Sequence, residues 1–291
     1  MHVATLISDP ARPALTPALA EGLRRRWDGG PLRWLAEGVA VEIPLATRPA
    51  DLAGTWADLQ GRGVDLAVQP AAGRRKRLLL ADMDSTMIGQ ECIDELAAVA
   101  GIGPQVAAIT ARAMNGELEF DAALRERVAL LRGLDMAVID RVLAERITCT
   151  PGGRALVATM QAHGATCVLV SGGFTAFTAA VAEWLGFDAH RANRLEVDGG
   201  RLTGRVLAPI LGRAAKRATL EEYCRRLGIT PAEVLAIGDG ANDLDMLGAA
   251  GMGVAMHAKP AVAEACGLRI HHGDLTAALY LQGHARADFA A

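Results

Sequence analysis

Three zones of the chain differ in how apolar and polar residues alternate. Between residues 1 and 73, short apolar runs typical of strands alternate with two segments of helical period, in the order strand, helix, strand, strand, helix, strand. Between residues 89 and 147 the period stays near 3.6 and predicts four helices with no strand among them. Strands and helices alternate again from residue 148 onward, which predicts a parallel sheet covered by helices on both faces.

These zones predict three structural units. Residues 1–73 are expected to form a small α+β domain with the element order of a ferredoxin-like fold, ending in a linker at residues 69–73. Residues 74–88 and 148–291 are expected to form an α/β core with a doubly wound parallel sheet. The helices of residues 89–147 interrupt this core directly after its first strand, so we expect them to form a cap over the sheet edge.

Composition narrows the class of function. The 291 residues carry a formal net charge of −3 and only 4% aromatic residues, which indicates neither a nucleic acid nor an anionic membrane as partner. No apolar run is long enough for a transmembrane helix, and the amino terminus lacks a signal-peptide pattern. The five cysteines are scattered without a Cys-x-x-Cys pair. We therefore expect a cytoplasmic protein with reduced cysteines, and the sequence leaves a homodimer open.

Two carboxylates one residue apart are the strongest chemical signal. Asp82 and Asp84 follow the apolar run Leu78–Ala81, which predicts a buried strand, so both lie where open α/β sheets place their chemistry. One carboxylate can act as a nucleophile while the other transfers protons, and a divalent cation keeps the first one ionised. The pattern Asp-x-Asp-x-Thr is weak by itself, and its position after a strand makes it stronger.

Two further segments carry groups suited to phosphate. Ser171 and Gly172 end another predicted strand, where the hydroxyl and backbone N–H groups could hold phosphate, or Ser171 could merely cap a helix. Lys216 on a predicted helix could be a catalytic cation or a solvated charge, with Arg213 and Arg217 as competitors.

A second pair of acids flanks a glycine-rich turn at the end of a third predicted strand. Asp239 and Asp243 have no histidine or cysteine cluster beside them, and carboxylates of this kind suit Mg²⁺ rather than zinc. The alternative is a helix cap at Asp239 with a first-turn acid at Asp243. The metal interpretation is favoured because acid-bearing strand ends converge in a doubly wound sheet.

The order and spacing of these motifs resemble the haloacid dehalogenase superfamily, and more closely the phosphoserine phosphatases within it. The resemblance spans about residues 78–260. Residues 1–73 resemble ACT-like domains in element order only. The matching residues are Asp82-Met83-Asp84-Ser85-Thr86, Glu91, Phe120, Arg127, Thr150-Pro151-Gly152, Ser171-Gly172-Gly173-Phe174, Lys216 and Gly238-Asp239-Gly240-Ala241-Asn242-Asp243.

The resemblance implies a phosphoric monoester hydrolase that releases L-serine and phosphate from O-phospho-L-serine through an aspartyl-phosphate, the last step of serine biosynthesis. It implies that Asp82 is the nucleophile and that Asp84 is the general acid and base. It also implies that Mg²⁺ is bound by the Asp82 carboxylate, the Asp84 backbone carbonyl and Asp239.

Further roles follow from the same resemblance. Lys216 and Ser171 would stabilise the transferring phosphoryl group, and Asp243 would anchor Lys216 or the water shell of the metal. Glu91 would bind the ammonium of the substrate and Arg127 its carboxylate, although Glu91 could be a first-turn helix acid and Arg127 a surface charge. The remaining substrate contacts implied are Phe120, Met114, Gly172 and Asn242.

The main alternative is a phosphatase or phosphotransferase of the same superfamily that acts on another small phosphomonoester. A binding protein built on an inactive core is disfavoured because no catalytic position is replaced. Two expectations lie outside the motifs. The basic run Arg74–Arg77 is expected to be a solvated start of a strand, and residues 1–73 are expected to be dispensable for chemistry.

Overall fold

Two sheets organise the chain, one of four strands near the amino terminus and one of seven strands in the remainder. The computed structural model describes residues 1–114 and 117–290, apart from the side chain of Met114. Within these residues, no helix is both long and apolar enough to cross a bilayer. The predicted α/β core and the small α+β domain are confirmed as a fold class, whereas the exact domain limits stay a prediction.

The amino-terminal sheet has the strand order β2-β3-β1-β4, with β1 antiparallel to both neighbours. Helix α1 begins where the Thr16 hydroxyl accepts the Leu19 N–H and Pro17 presets the backbone. The elements are β1 (His2–Ser8), α1 (Pro17–Arg26), β2 (Arg33–Ala36), β3 (Ala40–Leu45), α2 (Leu52–Gln60) and β4 (Val64–Pro70).

Both faces of this small sheet are buried. Leu6, Val41 and Leu66 pack beneath α1 and α2, while Ile7 and its neighbours on the opposite face join the core of the larger unit. The predicted linker at residues 69–73 therefore starts too early. Gln69 belongs to β4, is buried, and donates its side-chain amide to the Leu281 carbonyl at 2.7 Å.

The large sheet has the strand order β11-β10-β9-β5-β6-β7-β8. Its neighbouring strands pair in parallel except at one edge, where β8 runs antiparallel to β7 in a hairpin that turns at Gly199 and Gly200, both of positive φ. The strands are β5 (Leu78–Ala81), β6 (Thr166–Phe174), β7 (Ala189–Asp198), β8 (Arg201–Leu207), β9 (Val234–Gly238), β10 (Met252–Met256) and β11 (Leu268–Ile270).

Helices cover both faces of the large sheet. Every residue of β5 is buried, which explains why this strand reads as a continuous apolar run rather than an alternating one. Leu80 packs towards α9 and α10, whereas Leu79 packs towards α7 and α8. The core helices are α7 (Gly153–Ala162), α8 (Thr175–Leu185), α9 (Arg213–Leu227), α10 (Leu244–Ala249), α11 (Pro260–Ala265) and α12 (Ala277–Leu281).

Two element limits differ from the sequence prediction. The pair Thr150-Pro151 is typical of a helix start in the sequence, but helix α7 begins at Gly153, because Gly152 precedes it with a left-handed φ of 81° and no room for a Cβ against Thr276. The sequence pattern predicts a helix over residues 174–185, but strand β6 continues through Phe174 and helix α8 begins at Thr175.

The four cap helices leave the core and return to it side by side. Ile88 and Cys149 pair as an antiparallel bridge at the two crossings. The Gln90 side chain fastens the crossings, since its amide donates to the Thr148 hydroxyl at 2.9 Å and its carbonyl accepts the Thr148 N–H at 2.9 Å. The cap helices are α3 (Cys92–Val99), α4 (Gly103–Met114), α5 (Phe120–Ala129) and α6 (Ala137–Glu145).

Candidate active site

The candidate residues lie at the carboxyl ends of three adjacent strands. Strand β5 is central, with β9 on one side and β6 on the other, and Ala81 pairs with both Ile237 and Leu169. Asp82, the residue after β5, therefore lies next to Gly238 at the end of β9 and next to the carboxyl-terminal residues of β6. This convergence places Asp82, Asp84, Ser171 and Asp239 around one edge of the sheet, as parallel topology requires.

A buried lysine joins two of the acids. The Lys216 ammonium lies 2.6 Å from Asp82 Oδ2 and 2.6 Å from Asp243 Oδ1, and its side chain is fully buried. Burial by itself lowers the pKa of Lys216, but the two carboxylates outweigh it and raise this pKa. Lys216 is therefore held as a cation against the nucleophile candidate.

The other two candidate cations, Arg213 and Arg217, form ion pairs away from Asp82. Arg213 pairs with Asp245 at 2.6 Å and Arg217 pairs with Glu221 at 3.0 Å, both with largely exposed side chains. These are helix-surface contacts, which contribute little to stability and place neither arginine against Asp82. The structure thus brings Lys216, rather than its neighbours, to the strand ends.

Three buried acids form a candidate metal centre. Asp82, Asp239 and Asp243 each offer a carboxylate oxygen, and these oxygens lie within 4.8 Å of one another. Burial raises the pKa of Asp82 well above its usual range against the pull of Lys216, and burial raises the pKa of Asp239 to about 6 although the Thr86 hydroxyl donates to it at 2.8 Å. Oxygen ligands with this surplus of negative charge fit a divalent cation such as Mg²⁺.

Asp84 faces the same edge from the following loop. Its Oδ1 accepts the Cys92 N–H at 3.1 Å, and its Oδ2 accepts the Ser171 hydroxyl at 3.4 Å. Burial and the nearby charge of Glu91 raise the pKa of Asp84 to about 6. A carboxyl group with this pKa populates both protonation states near neutral pH, as a general acid and base requires.

Ser171 belongs to the end of β6 and is buried beside Asp84. Its oxygen accepts the Gly173 N–H at 2.8 Å while its hydroxyl points to Asp84, so it organises the turn as well as facing the site. A Cβ at Gly173 would lie 2.8 Å from Asp84 Oδ2, so only glycine allows this approach.

In the turn after β9, the carboxylate of Asp243 also packs closely against glycine backbone. Asp243 accepts the Gly240 N–H at 3.0 Å with Oδ2 while Oδ1 holds Lys216. A Cβ at Gly238 would lie 2.4 Å from the carboxyl carbon of Asp243. The side chain of Asn242 folds against Gly240 and makes no hydrogen bond within residues 1–114 and 117–290.

The cap brings charged groups over these strand ends. Glu91 precedes α3, and its Oε1 accepts the Ser85 hydroxyl at 2.7 Å. Arg127 donates to the Ala123 carbonyl within α5 at 3.3 Å. Burial lowers the pKa of Arg127, while the charges of Asp94 and Glu91 act in the opposite direction. Glu91 and Arg127 thus belong to one electrostatic group that also includes Asp94.

Phe120 closes one side of the site. Cβ atoms placed at Gly172 and Gly212 would lie 3.3 and 3.1 Å from its ring, so the ring packs directly on both backbones. Met114 ends α4, but its side chain lies outside the described part of the chain.

Several residues near the site were not among the sequence candidates. Thr86 fixes Asp239, and Asn193 is buried and links the Gly172 carbonyl at 2.8 Å to the Leu211 N–H at 2.7 Å. Asp94, whose pKa is raised by burial and by Glu91, adds an acid next to Arg127. Thr86 stands in the quoted motif, but no sequence pattern marks Asn193, which lies within strand β7 and acts only through tertiary pairing.

Comparison with known proteins agrees with this geometry. Residues 79–248, more than half of the chain, match the family model of haloacid dehalogenase-like hydrolases. A phosphoserine phosphatase of Streptomyces coelicolor is 48% identical over 259 residues, covering 88% of this chain and 61% of that protein. The chain therefore spans less than two thirds of the length of that relative.

Two further matches cover more of their own length. A phosphoserine phosphatase of a Polaromonas species is 46% identical over 210 residues, which are 70% of this chain and 89% of that protein. The unliganded crystal structure of a probable phosphoserine phosphatase from Vibrio cholerae superposes with a TM-score of 0.80 at 30% identity, covering 99% of this chain and 88% of that one. The second match includes both sheets.

Proposed function

The chain belongs to the haloacid dehalogenase-like hydrolase family, and from this premise we propose that it is a phosphoserine phosphatase that hydrolyses O-phospho-L-serine to L-serine and phosphate. The observation that carries the proposal is the meeting of Asp82, Asp84 and Lys216 at adjacent strand ends beneath a cap that bears Glu91 and Arg127. The names of the relatives support the same substrate class.

In the first step, a carboxylate oxygen of Asp82 forms a bond to phosphorus as the bond between phosphorus and the seryl oxygen breaks. Lys216 lies 2.6 Å from Asp82 Oδ2 and supplies positive charge where the phosphoryl oxygens gather. Asp84 gives its proton to the departing seryl oxygen, which a carboxyl of pKa about 6 can do near neutral pH.

In the second step, Asp84 removes a proton from water, whose oxygen bonds to phosphorus while the bond to the Asp82 oxygen breaks. Phosphate leaves, Asp82 returns as a carboxylate and Asp84 is again protonated. Ser171, which donates to Asp84 Oδ2 at 3.4 Å, stands where it can hold a phosphoryl oxygen through both steps.

We propose that Asp82, Asp239 and the Asp84 backbone carbonyl bind Mg²⁺, with Asp243 holding Lys216 at 2.6 Å. When bound, Mg²⁺ would neutralise charge on the phosphate and keep Asp82 ionised. The donor set fits because three buried carboxylates face one lysine, which leaves negative charge uncompensated.

Substrate choice is assigned to the cap. We propose that Arg127 pairs with the carboxylate of phosphoserine and that Glu91 accepts its ammonium, with Phe120, Gly172 and Asn242 lining the same space. Ser85 holds Glu91 at 2.7 Å, so the loop that carries Asp84 also positions a substrate-binding acid. Met114 remains a predicted contact outside the described side chains.

The decisive experiment compares hydrolysis of phosphoserine with that of an aryl phosphate, which lacks both the carboxylate and the ammonium. Arg127→Ala should lower kcat/KM for phosphoserine by about one to two decades, because a desolvated charged contact contributes about 1.5–3 kcal/mol, and should leave the aryl ester much less affected. Arg125→Ala, an exposed arginine on the same helix, is the matched control.

Glu91→Gln should likewise penalise phosphoserine more than phosphoglycerate, which has no amino group. Equal loss on all esters after both substitutions would contradict the assigned substrate and favour the alternative, a phosphatase or phosphotransferase acting on another small phosphomonoester. A cytoplasmic location and a homodimer stay predictions.

A further inference from the structure

A second cavity lies at the amino-terminal edge of the large sheet, opposite to the catalytic residues. Its volume is about 180 Å³, and it is lined mainly by basic residues. Residues 75–77 precede β5, and His163 follows α7 just before β6, so this cavity is separated from Asp82 by the length of the strands. The lining residues used below are Arg75, Lys76, Arg77, His163 and His284.

Positive charge in and around this cavity exceeds that of the adjacent acids. The Arg75 guanidinium contacts the imidazole nitrogens of His284 at 2.6 and 2.8 Å and has no carboxylate within 4 Å in residues 1–114 and 117–290. The Lys76 ammonium donates to two backbone carbonyls, those of Gly73 at 2.7 Å and Ala232 at 2.6 Å. Arg75 and Arg77 of the basic run are exposed, as the sequence predicted, whereas Arg74 and Lys76 are half-buried.

The surrounding charges do not restore neutrality. Two arginines share a single buried acid, because Arg33 lies 3.1 Å from Glu42 and Arg74 pairs with the same carboxylate. Arg77 pairs with Glu233 at 3.2 Å, and Asp288 is the acid whose charge acts on Arg75 and His284. Five basic residues face three acidic ones here, which leaves a net charge of +2. The basic residues are Arg33, Arg74, Arg75, Lys76 and Arg77, and the acidic ones are Glu42, Glu233 and Asp288.

Two imidazoles extend the basic surface. His163 and His284 stack with centroids 4.5 Å apart and planes 23° apart, and His284 is only 1% exposed. Burial and the charge of Arg75 lower the pKa of His284 to about 4, so it is neutral at physiological pH. An anion in the cavity would favour the protonated ring, because it would oppose the charge of Arg75.

We propose that this cavity is a binding site for a small tetrahedral oxyanion such as inorganic phosphate, held by Arg75 and the stacked imidazoles of His163 and His284. The volume is below the roughly 300–1,000 Å³ usual for drug-sized ligands and equals the space of roughly six waters. An oxyanion matches both this size and the excess charge. The site uses none of the catalytic residues, so it stands independently of the proposed function.

The site also lies at a joint of the molecule. Lys76 N–H donates to the Gln282 side chain at 3.0 Å, so the segment between the two sheets is tied to the chain after α12 beside the cavity. An anion bound there would contact the joining segment, α7 and the residues after α12 together. It should therefore stabilise the folded chain in proportion to its occupancy.

The test follows the histidine side-chain NMR signals of the full chain in EDTA while inorganic phosphate replaces chloride at constant ionic strength. The signals of His163 and His284 should shift and saturate. Arg75→Gln should weaken this binding by about ten- to a hundredfold, as expected for loss of one charged contact. Arg62→Gln, which removes the same charge from an exposed arginine without a side-chain partner in the described chain, should leave it unchanged.

Phosphate that binds at the catalytic edge would leave these two imidazoles unmoved, so the readout separates the two sites. Absence of a saturable shift, or equal weakening by Arg75→Gln and Arg62→Gln, would overturn the proposal. If Arg75→Gln does not fold, His163→Gln on the exposed ring must weaken the binding seen at His284. Glycerol phosphate tests whether the ligand is the free anion or a phosphate ester. Binding as tight as that of inorganic phosphate identifies a site that also accepts esters, whereas weaker binding identifies a site for the free anion.

Discussion

Asp65 and Asp82 are buried carboxylates in two different regions of the molecule, and their hydrogen bonds differ. Asp65, at the junction of the two sheets, is 1% exposed and accepts three backbone N–H groups, those of residues 271, 272 and 273 at 2.8, 3.0 and 2.8 Å. Asp82, at the catalytic edge, is 4% exposed and accepts one backbone N–H while sharing a single lysine with Asp243.

The difference separates structural acids from reactive ones. Three N–H donors satisfy the Asp65 carboxylate without a counter-ion, so it fastens β4 to the loop after β11. Asp82 and Asp239 have too few donors for their charge and are therefore available to a cation or an electrophile. Burial alone does not distinguish Asp65 from Asp82, whereas the number of backbone N–H donors does.

The largest expected effect is at Asp82. Asp82→Asn removes the nucleophile and should lower kcat by at least about three orders of magnitude while the protein stays folded. Turnover in a steady-state phosphate-release assay gives the loss, and circular dichroism checks the fold. A variant that keeps near-wild-type turnover would show that Asp82 is not the attacking group.

Metal removal comes next. Because three buried carboxylates face one lysine, treatment with EDTA should lower kcat by about two orders of magnitude or more, and Mg²⁺ should restore it. Ca²⁺ should not restore it, because its looser coordination does not hold in-line geometry. Full turnover in protein verified as metal-free by elemental analysis would contradict a metal-assisted reaction.

At the junction, the expected effect is on stability instead. Asp65→Ala leaves three backbone N–H groups without their acceptor and should lower the free energy of unfolding by about 3 kcal/mol or more in urea titrations. The folded fraction should keep its kcat, in line with the prediction that residues 1–73 are dispensable for chemistry. Asp58→Ala, at an exposed position of α2, is the control. A loss of kcat comparable to that of Asp82→Asn would erase the distinction between the two regions.

The last prediction concerns the pH dependence of stability. In metal-free protein the pKa values of Asp84 and Asp239, about 6, lie above the 3.8 of the unfolded chain. The folded state then binds more protons between these values, so the free energy of unfolding should fall as pH rises through this window, by about 3 kcal/mol for each group. Urea titrations at several pH values measure the slope. Asp239→Asn should reduce the slope, and an unchanged slope would refute its contribution.

The sequence predicted much of the fold because its signals are local. The apolar run before Asp82, the glycine-rich turns and the change of period at residue 89 each follow from neighbouring residues. The errors occur where tertiary contacts decide. Gln69 continues a strand because it reaches Leu281, and Gly152 delays a helix because it packs on Thr276.

The residues of the site also divide into those that local sequence signals predict and those that only tertiary contacts reveal. Asp82, Asp84, Ser171 and Asp239 could be placed together from strand ends alone. The choice of Lys216 over Arg213 needs the structure, because all three basic residues of that turn are alike in sequence and only one is buried. Asn193 could not have been found, since its partners at Gly172 and Leu211 are distant in the chain.

The chain enters the cap at Ile88 and leaves it at Cys149, and because these two residues pair, the cap has the geometry of an inserted domain that can be exchanged. A segment whose ends leave the host side by side can be replaced without moving the host backbone, which is the geometry that tolerates domain insertion. In the proposed function, the chemistry takes place at the edge of the sheet and substrate recognition is assigned largely to residues 89–147. A cap grafted at the Gln90–Thr148 fastening would therefore redirect the same phosphoryl-transfer machinery towards a different ester.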